Sequence, residues 1–231
     1  MSPKHFVQGK IPLQRVLTWC AAALILMLAS VVALAGVPWE ETGRDDNVIT
    51  WKRWPDGQAL PTLRGQADIK ASVSDVAHAL TDTKRFCDWM PKCKRMKVLG
   101  GSAENLTVYI VLNAPFPLDD RDVVVRQTVR VRPDKGDVFV EFKKIADKLM
   151  PETDDAVRMP MFKGYYSLKP LANGGTRVLY QADSDVGGLV PDFVVRRASE
   201  NIPREVLTGL RAQSIKMTGK YAPFPGVEKL Q

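Results

Sequence analysis

The sequence predicts an α+β domain in which a curved antiparallel β-sheet closes over one long helix near the C-terminus. Six segments rich in β-forming residues, separated by turn sequences, lie between residues 95 and 183. A stripe of apolar residues at helical spacing follows over residues 191–216. Because the sheet is the large apolar partner available to this stripe, the two should pack together. An incompletely filled gap between them would form an internal apolar cavity.

Two strands and a helix precede this run. Strands are predicted over residues 47–54 and 62–70, because a Pro-Asp-Gly turn separates two β-forming segments. Ser72 followed three residues later by Asp75 is typical of a helix N-terminus, and the apolar residues after it repeat at helical spacing. A second, short helical turn is predicted over residues 84–90, where a proline ends it.

The strands of the central run alternate with tight turns. They are predicted over residues 95–99, 106–113, 123–132, 137–145, 162–169 and 176–183. Turn sequences at residues 100–102, 133–136 and 173–175 predict that neighbouring strands pair antiparallel. On the third strand of the run, valines alternate with arginines, which predicts one apolar face and one solvated face.

The last helix carries an apolar stripe that contains a proline. Its apolar residues recur every four positions between residues 194 and 210. Pro203 lies within the stripe and lacks a backbone donor, so a kink near residues 199–202 or two abutting helices are predicted. Residues 221–231 contain two further prolines and are predicted to form an extended tail.

The N-terminal residues have the layout of an export signal. Three basic residues precede an uncharged run over residues 16–37 that contains Ala-Leu-Ala, which predicts cleavage after Ala35. The run is nearly long enough to span a bilayer, so an uncleaved inner-membrane anchor formed by residues 16–35 remains an alternative. Both interpretations place the remainder in the periplasm or otherwise outside the cytoplasm. The predicted organisation is a signal or anchor at residues 1–35, one domain at residues 36–220 and the tail.

The charge balance limits the classes of partner. The whole chain carries a formal net charge of +7, and removal of residues 1–35 leaves 30 basic and 26 acidic residues, a net charge of +4. This mild excess suits weak attraction to an anionic membrane surface, whereas nucleic-acid binders concentrate more positive charge. We therefore expect transient membrane contact and no nucleic-acid partner. A monomeric state is a separate expectation.

Cleavage after Ala35 would leave two cysteines, Cys87 and Cys93. An even pair in an oxidising compartment predicts a disulfide, although two partly buried thiols flanking Trp89 remain an alternative. The chain has only two histidines, and neither lies at metal-ligand spacing from the cysteines. No metal site and no cofactor are therefore expected.

One charged cluster raises the question of catalysis. Asp119, Asp120, Arg121 and Asp122 follow one another between two β-forming segments. We interpret them as a corner held by turn hydrogen bonds and local ion pairs, because an acid–base pair needs shifted proton affinities and adjacent charged residues in a turn stay hydrated. The sequence contains no phosphate-binding glycine loop, nucleophile elbow or thiol–histidine pair, which favours binding over turnover.

Four motifs, in their order and spacing, are shared with a known family. They are Pro115-Phe116-Pro117 leading into Arg121-Asp122 before a valine-rich strand; Val157-Arg158 followed by Gly164, Tyr166, Leu168 and Pro170; the series Asp185, Gly188 and Pro191; and Trp89 after the first helix. On these motifs residues 39–211 resemble the START lipid-transfer domain family of the helix-grip superfamily. The resemblance implies a sheet that wraps around the last helix and encloses a lipid-binding cavity.

The resemblance also suggests which residues contact a lipid. The predicted lining residues are Trp89, Tyr109, Phe142, Tyr166, Tyr180, Val194, Ile202 and Val206. Ordinary core packing is the alternative for each of them. The tyrosines are favoured as ligand contacts, because a buried hydroxyl needs a partner that a ligand head group can provide.

Arg126 and Arg158 are predicted to hold a polar head group, with Glu141 as an internal counter-charge. Family members often keep a buried acid–base pair on the central strands, but this chain has no acidic residue between residues 106 and 113. Regular alternation along its strand also points Arg126 outward unless a bulge turns it inward.

The connection over residues 146–160 resembles the family's Ω-shaped gate loop. Leu149 and Met150 are predicted at its apolar tip, and a plain surface loop is the alternative. We also expect this loop and residues 189–193 to touch the membrane, with Arg196 and Arg197 meeting anionic head groups.

These features predict a non-enzymatic carrier that binds one hydrophobic molecule, a lipid, and transfers or presents it outside the cytoplasm. Two alternatives remain open. One is a cyclase or hydrolase of the same superfamily that acts on a polyketide-like or aromatic substrate, and the other is an interaction module whose cavity is filled by its own side chains.

Overall fold

The computed structural model describes residues 37–116, 118–188 and 190–230. The predicted export signal or anchor therefore lies outside the described residues. Within them, no helix is both long enough and apolar enough to cross a membrane.

The described part of the chain forms ten strands and three α-helices. The strands are β1 Glu40–Asp45, β2 Val48–Arg53, β3 Thr62–Ile69, β4 Cys93–Ser102, β5 Asn105–Leu112, β6 Arg121–Arg132, β7 Asp137–Lys144, β8 Val157–Arg158, β9 Met161–Pro170 and β10 Thr176–Asp185. The helices are α1 Val73–Thr81, α2 Phe86–Trp89 and α3 Asp192–Met217. Short 3-10 helices at Pro133–Lys135, Asp147–Leu149 and Val227–Leu230 complete the elements.

The strands form one sheet in the order β1-β2-β3-β10-β9-β7-β6-β5-β4. All neighbours along this path pair antiparallel, and the two-residue strand β8 pairs with β6 in parallel. The eight predicted strands and the terminal helix are confirmed. The sequence reasoning missed β1, which is short, polar and largely exposed, and β8, which is too short to show a pattern.

One predicted turn is displaced. Residues 100–102 belong to β4, and the connection to β5 lies at residues 103–104. The strand stays paired there because Gly101 adopts a φ of 103° and carries no Cβ. A Cβ at this position would lie 2.0 Å from the backbone oxygen of Asn105.

The first helix begins as predicted. The Ser72 side chain accepts from the backbone N–H of Asp75, and the Asp75 carboxylate accepts from the backbone N–H of Ser72, so the two residues form a reciprocal capping box.

The last helix runs through Pro203 as one element, so the prediction of two abutting helices is wrong. Pro203 is buried and faces Gly65 on β3. A Cβ at Gly65 would lie 2.7 Å from Leu207 Cδ1 and 3.1 Å from Pro203 Cβ. Because Gly65 lacks that atom, the helix lies close to the sheet at the proline.

The C-terminal tail packs against α1. Phe224 is 2% exposed, and its backbone N–H donates to Ser74 Oγ at 2.7 Å. The His78 ring lies 2.9 Å from the Ala222 carbonyl oxygen and stacks on Tyr221 with ring centroids 4.9 Å apart. The tail is therefore anchored to the domain, although its prolines had suggested only an extended segment.

Candidate functional site

A cavity of about 490 Å³ lies between the sheet and α3. This volume falls within the range of about 300–1,000 Å³ that is typical of ligand pockets. The walls come from β5, β6, β7, β9 and β10 on one side and from α3 on the other, and most of the lining side chains are apolar. The polypeptide does not fill this space, which argues against the alternative of a cavity occupied by its own side chains.

Six of the predicted lining residues do line the cavity. They are Phe142, Tyr166, Tyr180, Val194, Ile202 and Val206. The three aromatic residues form a cluster, in which the Tyr166 and Tyr180 ring centroids are 5.0 Å apart and Phe142 lies 5.8 Å from Tyr166 and 6.4 Å from Tyr180. The sheet and the helix therefore bring together the side chains that the sequence placed on them.

Tyr109 and Trp89 do not line the cavity, so that prediction is wrong for both. Tyr109 pairs with Val124 in the sheet and points with it to the face opposite the cavity, where its hydroxyl donates to Asp122 at 2.8 Å. Burial and then this hydrogen bond raise the pKa of Tyr109. Trp89 packs in the core against Phe86 at 5.3 Å between ring centroids.

The prediction that Arg126, Glu141 and Arg158 face the ligand is also wrong. Arg126 is exposed, because its strand alternates without a bulge at that position. Glu141 forms a half-exposed ion pair with Arg130 at 2.7 Å on the outer face. Arg158 lies outside the cavity and is committed to another partner.

That partner is Asp122, and together they form a buried ion pair on the outer side of the sheet. Arg158 Nε donates to Asp122 Oδ1 at 2.6 Å and Nη2 donates to Oδ2 at 3.1 Å, with the two side chains 5% and 1% exposed. Arg158 also donates to the carbonyl oxygens of Met150 and Pro151. The chain thus has a buried acid–base pair between β6, which carries the acid, and β8, which carries the base.

The rest of the charged cluster builds the corner before β6. Asp120 accepts from the backbone N–H of Ala114 at 3.2 Å and from Lys94 at 2.6 Å, and the hydrogen bond from Lys94 lowers the pKa of Asp120. Arg121 donates to the carbonyl oxygens of Asp119, Val186 and Gly187. These contacts support the corner interpretation, but the expected hydration is wrong for two of the four residues, since Arg121 is 7% and Asp122 is 0% exposed.

The loop over residues 146–160 does not carry the predicted gate tip over the cavity. Met150 packs against the small cluster of Tyr109, Val111 and Val124 on the far face of the sheet. Leu149 is 55% exposed and does not line the cavity, whereas Met159 at the end of the loop is buried and does.

The rim of the cavity lies elsewhere, as its exposed lining residues show. These are Lys92, Asn113, Pro115, Phe193 and Glu205. Two exposed phenylalanines belong to this region: Phe193 is 52% exposed, and Phe116, between the lining residues Pro115 and Leu118, is 94% exposed. The Pro-Phe-Pro motif was recognised in the sequence as a family motif, but the sequence did not show that its phenylalanine is exposed at the rim of the cavity.

A disulfide links Cys87 in α2 to Cys93 at the start of β4. It closes a short loop that contains Met90, Pro91 and Lys92, and all three line the cavity. The predicted disulfide therefore restrains the backbone of a loop that lines the cavity and reaches its rim at Lys92.

A long C-terminal helix held by a curved antiparallel sheet, with an apolar cavity between them, defines a helix-grip protein. The family model of the START domain matches residues 55–216, which is more than half of the chain. The chain belongs to the START domain family.

Known proteins support this assignment. The chain is 28% identical over 197 residues to an uncharacterised protein of Pseudomonas aeruginosa, a match that covers 84% of this chain and 96% of that protein. A crystal structure of a STAR-related lipid transfer protein from Xanthomonas axonopodis superposes with a TM-score of 0.70 and 28% identity, over 77% of this chain and 98% of that one. The Zhui aromatase/cyclase from Streptomyces sp. R1128 shares the fold, with a TM-score of 0.52 and 14% identity over 67% of this chain and 93% of that one.

Proposed function

We propose that the protein binds one lipid in its cavity and transfers or presents it outside the cytoplasm. The observation that carries this proposal is a largely apolar cavity of about 490 Å³ in a member of the START domain family. The Xanthomonas relative, which is named a lipid transfer protein, supports the same class of ligand.

The cavity can accelerate lipid exchange although no covalent bond is made or broken. Each methylene kept from water contributes roughly 0.8 kcal/mol, so moving a sixteen-carbon chain into water costs about 13 kcal/mol. Side chains such as Val123, Val125 and Val206 offer the chain an apolar environment and remove most of this cost. The two cavity tyrosines stay neutral there, because burial raises the pKa of Tyr180 and raises that of Tyr166 well above its ordinary value.

The exposed phenylalanines at the rim are our candidates for membrane contact. Phe116 and Phe193 lie where a lipid would enter, and exposed apolar side chains gain free energy when they are buried at a membrane interface. Arg196 is exposed one turn further along α3 and suits anionic head groups. This proposal keeps the start of the last helix from the sequence prediction and replaces the loop over residues 146–160 with the corner before β6.

The Phe116→Asp, Phe193→Asp double variant is expected to slow lipid transfer between vesicles at least tenfold, because two charges would have to enter the interface. Transfer of a fluorescent lipid from donor to acceptor vesicles that contain anionic lipid measures the rate. The control is Leu149→Asp, which changes an exposed apolar residue that does not line the cavity and should leave the rate within about twofold. If the control variant loses as much transfer rate as the double variant, or if the double variant loses none, the rim phenylalanines do not contribute to lipid transfer.

Export is the proposed location. The basic residues before the uncharged run over residues 16–37 support it, and so does a disulfide, which persists in oxidising compartments. The two forms, a cleaved signal or a tether to the inner membrane through residues 16–35, remain alternatives.

We propose a carrier rather than a cyclase or hydrolase. The similarity to the aromatase/cyclase is one of fold. Two charged residues of the cluster before β6 already have structural partners: Asp122 pairs with Arg158 outside the cavity, and Arg121 donates to backbone carbonyls.

A further inference from the structure

Two tyrosine hydroxyls inside the cavity have no partner among the described residues. Tyr166 is 4% exposed and Tyr180 is 5% exposed, and both line the cavity. Tyrosines outside the cavity differ, since the hydroxyl of Tyr109 donates to Asp122 at 2.8 Å and that of Tyr165 donates to Gln181 at 3.3 Å. A buried hydroxyl without a partner is costly, and both of these hydroxyls belong to side chains that line the cavity, so a molecule bound there can supply the partner that the protein does not.

A third neutral polar group lies on the same face of the sheet. Gln127 on β6 is opposite Phe142 on β7, which contacts both tyrosine rings. Its Nε2 donates to the Leu80 carbonyl oxygen at 3.4 Å, and no described residue donates to its Oε1. Gln127 lines the cavity, so this oxygen remains an acceptor for a ligand.

The charged lining residues are poorly placed to bind a phosphate in the buried part of the cavity. Lys92 and Glu205 are exposed at the rim. Arg121 is buried, but its guanidinium donates to the carbonyl oxygens of Asp119, Val186 and Gly187. Arg121 keeps its charge, but it is the first residue of β6, six positions before Gln127. An anion beside Tyr166 and Tyr180 would therefore lose its hydration with no adjacent counter-charge among the described residues.

We propose that the ligand carries a neutral hydrogen-bonding group, a hydroxyl or a carbonyl, which is bound in the buried part of the cavity by Tyr166, Tyr180 and Gln127. This inference rests on the proposed lipid-binding function and specifies its ligand class. The size of the cavity agrees, because about 490 Å³ is in the lower half of the range for drug-sized ligands and suits a single chain or ring system.

The test uses two probes that share one chain, 1-dodecanol and dodecyl phosphate, each competing with the neutral fluorescent reporter N-phenyl-1-naphthylamine on the purified chain. The Tyr166→Phe, Tyr180→Phe double variant keeps both rings. It is expected to weaken 1-dodecanol binding roughly three- to tenfold, the range for one or two neutral hydrogen bonds, while reporter and dodecyl phosphate binding stay unchanged. The matched control, Tyr165→Phe on the opposite face of the same strand, should leave all three unchanged.

The outcomes separate this inference from the proposed function. If the reporter binds but dodecyl phosphate binds wild-type protein as tightly as 1-dodecanol, the neutral-head inference is overturned and the cavity function stands. The same holds if the double variant binds 1-dodecanol as wild type does. If the reporter does not bind wild-type protein at all, the lipid-binding function fails and the inference falls with it.

Discussion

Replacing Arg158 by methionine is expected to lower the free energy of unfolding by about 3–5 kcal/mol, the range for removing one partner of a buried ion pair. The substitution leaves the Asp122 carboxylate, whose side chain is 1% exposed, with a donor from Tyr109 but no counter-charge. It also removes the hydrogen bonds to the carbonyl oxygens of Met150 and Pro151 that fix the loop over residues 146–160. Urea unfolding followed by circular dichroism gives the difference.

A second arginine–aspartate pair provides the control. Arg177 donates to Asp68 through Nε and Nη2, both at 2.7 Å, but these two side chains are 48% and 44% exposed. Solvent screens such a pair, so Arg177→Met should cost only about 0–1 kcal/mol. Similar losses in the two variants would show that burial does not set the strength of the Asp122–Arg158 pair.

Replacing Ala182 by tryptophan is expected to weaken uptake of a hydrophobic probe at least tenfold, which corresponds to about 1.4 kcal/mol. Ala182 lies on β10 opposite Gly164, and its methyl group faces the cavity. An indole ring at this position would occupy volume that the ligand needs, and excluding two methylenes of a ligand already costs about 1.6 kcal/mol. Titration with N-phenyl-1-naphthylamine measures the affinity, and circular dichroism checks that the fold is kept.

A tryptophan on the other face of the same strand is the control, because it perturbs the strand without filling the cavity. Leu179 is half-buried on the face of β10 away from the cavity. Leu179→Trp should bind the reporter like wild type. A folded Ala182→Trp variant with unchanged affinity would mean that the probe binds outside the cavity.

Elements with regular patterns were predictable from the sequence. Over residues 125–132 of β6 the valines alternate with more exposed residues, so the exposed position of Arg126 follows from the local periodicity, whereas residues 121–125 are buried on both faces. The cavity position of Phe142, Tyr166 and Tyr180 also followed, because each has the same parity as a buried apolar residue two positions away on its own strand: Val140, Leu168 and Val178 respectively.

Features that depend on contacts between distant residues were not predictable. Which face Tyr109 occupies depends on its register opposite Val124, and one residue of register reverses the face. The partner of Arg158 is Asp122, 36 positions away, and nothing in the local pattern connects them. The exposure of Phe116 depends on how the corner before β6 is held. Asp120 accepts a hydrogen bond from the backbone N–H of Ala114 there, and Arg121 donates one to the Val186 carbonyl oxygen.

Native mass spectrometry of the purified chain, before and after extraction with organic solvent, tests whether the cavity between the sheet and α3 contains a bound ligand. The wild-type protein should carry one extractable hydrophobic molecule, or take one up from vesicles, and the Ala182→Trp variant should carry none. A wild-type protein that shows only its bare mass, both as purified and after incubation with vesicles, would contradict the carrier function.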